Sequence, residues 1–73
     1  MAQMTLKSLR IAKGLTQREA AKALGVTPPT LGRWEARKNN PDIEQAARLA
    51  MLYDATLNDV VRFFLPENFT ESE

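Results

Sequence analysis

Residues 16–36, TQREAAKALGVTPPTLGRWEA, spell out two short helices and the corner between them. Thr16-Gln17-Arg18-Glu19 has the capping-box pattern: the threonine hydroxyl and the glutamate side chain satisfy backbone donors that a helix start leaves without partners. Ala20, Ala21, Ala23 and Leu24 supply the apolar side of that helix, and Gly25 stops it. Thr27 caps a second helix after a turn of three residues, Gly25-Val26-Thr27. Pro28 and Pro29 stand at first-turn positions, where the missing N–H groups cost nothing. Leu31, Trp34 and Glu35 then share one face. The alanines are small enough to let the second helix cross the first closely and steeply.

Outward from this pair the helical punctuation continues. Leu6, Leu9, Arg10 and Lys13 follow i, i+3, i+4, i+7 spacing and predict a first helix that ends at Gly14, a left-handed cap. Downstream, Arg37-Lys38-Asn39-Asn40-Pro41 reads as a polar, basic surface loop. Asp42-Ile43-Glu44-Gln45 is another capping box, before an apolar stripe of Ile43, Ala46, Ala47, Ala50 and Tyr53. Thr56-Leu57-Asn58-Asp59 caps a fifth helix expected to turn Leu57, Val60, Val61 and Phe64 inward and to end at Pro66. The reading is all-α: five helices in residues 1–66, followed by an acidic tail over residues 67–73.

Composition narrows the chemistry. The 73 residues include 0 Cys and 0 His, which excludes disulfides, thiolate zinc, a cysteine nucleophile and any imidazole base. At this size about 60% of the unfolded surface can be buried, so the core is small. The net charge of +1 conceals a division: residues 1–40 hold eight cations against two carboxylates (+6), and residues 41–73 hold two against seven (−5). A basic front half suits an anionic partner. Asp42 and Asp59 are accounted for as helix-start residues, and Asp54 and Asp59 lack the dense spacing of a calcium loop, so no metal or other cofactor is expected. No apolar stretch approaches a membrane span and no signal-peptide stretch is visible, so the chain is expected to be soluble and cytoplasmic.

Two helices meeting across a short glycine turn are the helix-turn-helix pattern, whose second helix can enter a DNA major groove. Residues 6–64 resemble the lambda-repressor-like, Cro-type helix-turn-helix domain, also called the xenobiotic-response-element family. The resemblance is carried by Leu6-Lys7-Ser8-Leu9-Arg10, Gly14-Leu15-Thr16-Gln17, Ala21-Lys22-Ala23-Leu24-Gly25-Val26, Leu31-Gly32-Arg33-Trp34-Glu35 and Asn40-Pro41-Asp42-Ile43. It implies a compact five-helix, usually dimeric, DNA-binding domain that regulates transcription of phage, plasmid or bacterial genes. It therefore implies a nucleoid-associated protein, a repressor on a palindromic operator, with residues 27–36 as recognition helix.

With Leu31, Trp34 and Glu35 inward, Pro28, Pro29, Gly32, Arg33 and Ala36 point outward. Arg33 alone carries a long forked donor, suited to guanine O6 and N7. The two prolines can offer only apolar contact, and they stand where family members often have polar residues, which shifts weight toward phosphates and DNA shape. Thr27 and Thr30 complete the first-turn set expected at the DNA. Gly32 fits equally a close approach to the duplex and a merely tolerated glycine. The resemblance implies that Gln17 binds a backbone phosphate at the start of helix two, and Arg37, Lys38, Asn39 and Asn40 are the second expected clamp. Family members frequently have Gly at the position of Arg37, and often have it at that of Asp54. Arg10 and Glu35 are expected as a structural ion pair between helices one and three.

Phe63, Leu65 and Phe69 fall off the helix-five stripe, and Met51 and Leu52 off that of helix four. The first three are expected as a homodimer contact, with folding back onto the monomer as the rival. An antitoxin, or another protein-interaction module that also binds DNA, is the alternative function. No group has the partner and spacing for acid–base or nucleophilic work, so an enzyme is not expected.

Overall fold

Every helix begins on a side chain that replaces a missing backbone partner. The structure is a computed structural model and describes residues 5–65. Pro66, the acidic tail at 67–73 and Phe69 lie outside the described residues, as does the expected domain boundary. The helices are α1 (Leu6–Ala12), α2 (Gln17–Leu24), α3 (Pro28–Glu35), α4 (Ile43–Leu52) and α5 (Leu57–Phe64). No strand occurs among the described residues, so the architecture is the all-α bundle. Reciprocal capping boxes open α2 on Thr16 and Glu19, α4 on Asp42 and Gln45, and α5 on Thr56 and Asp59. A further box, Thr5 with Ser8, opens α1. Thr27 caps α3, with Pro28 and Pro29 in the first two helical positions.

The first four helices end alike. At each, the first or second residue past the helix turns left-handed, its N–H returns to a carbonyl three residues back, and the next N–H returns five back. For α1 these bonds are Gly14 N to Ile11 O at 2.9 Å and Leu15 N to Arg10 O at 3.2 Å. The left-handed residues are Gly14, Gly25, Arg37 and Asp54, with φ of 74°, 77°, 61° and 58°. Asp54 thus adopts the glycine-like turn expected of it. Arg37 adopts the same left-handed turn.

Burial organises these elements around α2 and α4. α2 packs against α3 and α4, α4 against α5, and α1 against α3. Leu6, Leu31, Leu49 and Val60 are fully buried, with Ala20, Ala21, Trp34 and Tyr53 beside them. Ala20 and Ala21 lie in this core on α2, where their small side chains keep the two helix axes near each other.

α1 runs to Ala12, with Lys13 as its cap residue and Gly14 in the expected left-handed turn. Three expectations need correction. The inward row of α4 is Ala46, Leu49, Ala50 and Tyr53, while Ile43 is 70% exposed at its first turn. The inward face of α5 is rotated toward Phe63. Val60 and Phe63 are buried, whereas Leu57 and Val61 are exposed and Phe64 half-buried. Phe63, expected as an exposed dimer contact, is only 8% exposed. The physical reason is core packing: Phe63 joins the apolar cluster where α5 packs on α4, and the Arg37 guanidinium, 4.4 Å from the centre of its ring, and the Phe64 ring, edge-on at 4.9 Å, lie over it as well.

Candidate nucleic-acid interface

The face that α3 turns away from the core is set by what holds its other side. Glu35 and Trp34 lie on that inner side, and Glu35 is held at both carboxylate oxygens. Arg10 Nε donates to Oε2 at 2.8 Å and Gln17 Nε2 to Oε1 at 2.9 Å. The Arg10 and Glu35 side chains are 10% and 7% exposed, so their charges meet largely out of water. Arg10 also donates through Nη1 to Leu15 O at 2.9 Å. One carboxylate therefore ties α1, the start of α2 and the end of α3 together. Tyr53, the cap residue after α4, lies close enough to feel both charges. Burial first, then the Glu35 carboxylate, push its phenol up to about 12, against a smaller lowering by Arg10. Its buried hydroxyl has no hydrogen-bond partner.

Held in this way, α3 exposes Pro28, Pro29 and Arg33, with Thr27 at its cap also exposed and Thr30 and Gly32 half-buried. The Thr27 and Thr30 hydroxyls are 2.9 Å apart. Gly32 faces the start of α2: a Cβ there would sit 3.8 Å from Gln17 Nε2, an ordinary contact. Arg37, Lys38, Asn39 and Asn40 follow directly and are all exposed. Arg37 spends its charge over Phe63 at the same time.

Gln17 is placed differently from a free phosphate ligand. It is half-buried, and one of its two amide hydrogens is committed to Glu35. The second hydrogen is what it has to offer outside. Leu65 is half-buried beside a shallow apolar groove that Ile43, Val61 and Phe64 also line.

The contacts of two residues escaped the sequence reading. Asn39, with its amide oriented by its neighbours, accepts from Arg33 Nε at 3.1 Å and donates to Lys38 O at 2.7 Å. Gln17 crosses inward to Glu35. The only signal for either was the polar character of the residues, which says nothing about direction. Among the described residues, no group of three or more acidic side chains could hold a metal ion. None of the described helices is long and apolar enough to cross a membrane.

A helix-turn-helix family model matches residues 6–60. The chain is also similar to two uncharacterized HTH-type transcriptional regulators of Archaeoglobus fulgidus. Each is 33% identical over 58 residues, covering 80% of this chain and 83% and 82% of the two relatives.

Proposed function

Because the chain belongs to the lambda-repressor-like helix-turn-helix family, we propose that it is a sequence-specific, double-stranded DNA-binding transcriptional regulator. α3 enters the major groove. The observation that carries this reading is the outward face of α3, Pro28, Pro29 and Arg33, running straight into the exposed basic loop at Arg37 and Lys38. Arg33 reads guanine, and the prolines meet thymine methyls or exclude water. Lys38, Asn40, Arg37 and the free amide hydrogen of Gln17 meet phosphates, which fix register without reading sequence.

The regulator is of the phage or bacterial repressor type and acts on the nucleoid, by occupying its operator. Two copies bind a palindrome with half-sites about one helical turn apart. The apolar groove lined by Ile43, Val61, Phe64 and Leu65 supports a dimer face on that side, with Phe63 excluded from it by burial. Enzymatic activity is not part of this reading.

Selection of bound duplexes from a random pool tests it. The expected product is an enriched palindrome whose affinity falls steeply with salt. A pool that stays random after selection, or a protein that sediments as a monomer on its DNA, overturns the corresponding part.

A further inference from the structure

Arg33 is the one forked donor on the outward face of α3, yet it is not a free side chain. With the Asn39 amide turned as its donor and acceptor neighbours require, Arg33 Nε donates to the Asn39 carbonyl oxygen at 3.1 Å. Its Nη2 makes a longer contact to Thr30 Oγ1 at 3.4 Å. Asn39 is itself fixed, because its amide nitrogen donates to Lys38 O at 2.7 Å. A chain of polar contacts therefore runs from Thr27 through Thr30 and Arg33 to the loop beyond the helix.

We propose that Asn39 is a positioning residue that, with Thr30, presets Arg33 for end-on recognition of a guanine. This rests on the DNA-binding reading above and assigns Asn39 a role other than phosphate contact. A guanidinium has five N–H donors and two ways to make paired hydrogen bonds to a base, by its Nε/Nη2 edge or by its Nη1/Nη2 end. Asn39 and Thr30 occupy the edge from within the protein. The end remains, with both Nη1 hydrogens and one on Nη2, and guanine O6 and N7 accept two parallel bonds of this kind. Arginine otherwise surrenders rotamer freedom when it binds, so a side chain already aimed discriminates better. The surroundings make this matter: Pro28 and Pro29 have no donor and Gly32 no side chain, and the nearby Thr27 and Thr30 hydroxyls are engaged with each other.

The experiment uses the full chain and the duplex that the wild type selects from a random pool. Each selected guanine is compared with deazaguanine, which lacks N7. Asn39→Ala is expected to lose roughly three- to tenfold of the preference for guanine, the worth of one hydrogen bond. Its affinity for random duplex, the salt slope and Tm are expected to stay unchanged. Asn39→Asp, which keeps the acceptor for Arg33 and lacks the donor to Lys38, is expected to retain the preference while binding every duplex more weakly. An Asn39→Ala variant that keeps the guanine preference where Arg33→Ala loses it overturns this inference alone. So does one that weakens selected and random duplexes equally, the mark of a lost phosphate contact. A wild type that enriches no sequence, or an Arg33→Ala variant that keeps the guanine preference, overturns both readings together.

Discussion

Substituting Arg37 by alanine and by glycine separates two opposing contributions at one residue. The left-handed backbone at φ 61° places Cβ against the following carbonyl, at a cost of about 1–2 kcal/mol for a non-glycine residue. Against this stands the guanidinium 4.4 Å above Phe63, worth about 0.5–1 kcal/mol at an exposed site. Arg37→Ala keeps the strain and loses the ring contact, so it is expected to lower stability by about 0.5–1 kcal/mol. Arg37→Gly loses the same contact and relieves the strain, so it is expected to lie about 1 kcal/mol above the alanine variant, near the wild type. In a domain of this size that difference is about 4–8 °C in Tm. Thermal unfolding followed by circular dichroism reads it, and a cycle with Phe63→Leu isolates the ring contact. Both variants remove one cation beside α3, so both should reduce the salt slope of duplex binding by about one if Arg37 also meets a phosphate. Equal Tm values for the alanine and glycine variants would refute the strain argument. An alanine variant as stable as the wild type would refute the ring contact.

Other perturbations test the supports of α3. Glu35→Ala strips a largely buried Arg10 of its charge partner and is expected to cost about 3–5 kcal/mol. The fluorescence of Trp34, the only tryptophan, would report unfolding, and a loss under 1 kcal/mol would contradict the buried geometry. Gly32→Ala is expected to raise stability by about 0.5–1 kcal/mol, since its Cβ meets only ordinary contacts. A rise in Tm with weaker operator binding would place the duplex against that position, and a fall in Tm would defeat the steric account. Tyr53 makes the domain alkali-sensitive. Its phenol ionises at 10.0 unfolded and about 12 folded, so between these values the unfolded chain has lost a proton that the native state keeps. Its stabilisation is full below pH 10 and is lost as pH rises through about 12, to a total of about 2–3 kcal/mol. With 1 Tyr in the chain, tyrosinate absorbance reads this residue alone. Ionisation near pH 10 with the helices intact would refute the burial argument.

Helix starts were legible because their chemistry is local: Thr16 with Glu19, Asp42 with Gln45 and Thr56 with Asp59 each lie within four residues. The Thr5 box was missed because serine, not glutamate or glutamine, closes it. The turn at Gly25 and the outward face of α3 were legible for the same local reason. Which side of α5 faces inward was not, since Leu57, Val60, Val61, Phe63 and Phe64 are apolar on neighbouring faces and several rotations satisfy the spacing. What selects among them is long-range packing: Val60 and Phe63 enter the core against α4, and Arg37, 26 residues upstream in the loop after α3, lays its charge over Phe63. No periodicity encodes such packing. Likewise Arg33 reaches Asn39 only because the chain turns left-handed at Arg37 between them.

The triangle of Arg10, Gln17 and Glu35 has an evolutionary consequence. The atoms that anchor α3 point into the domain, whereas Pro28, Pro29 and Arg33 point away. On the proposed reading, selection can therefore rewrite the outer positions, and with them the preferred operator, while leaving intact the contacts that keep the scaffold folded. Paralogues with new target sites are accessible through a few surface codons, provided the inner three residues are inherited together.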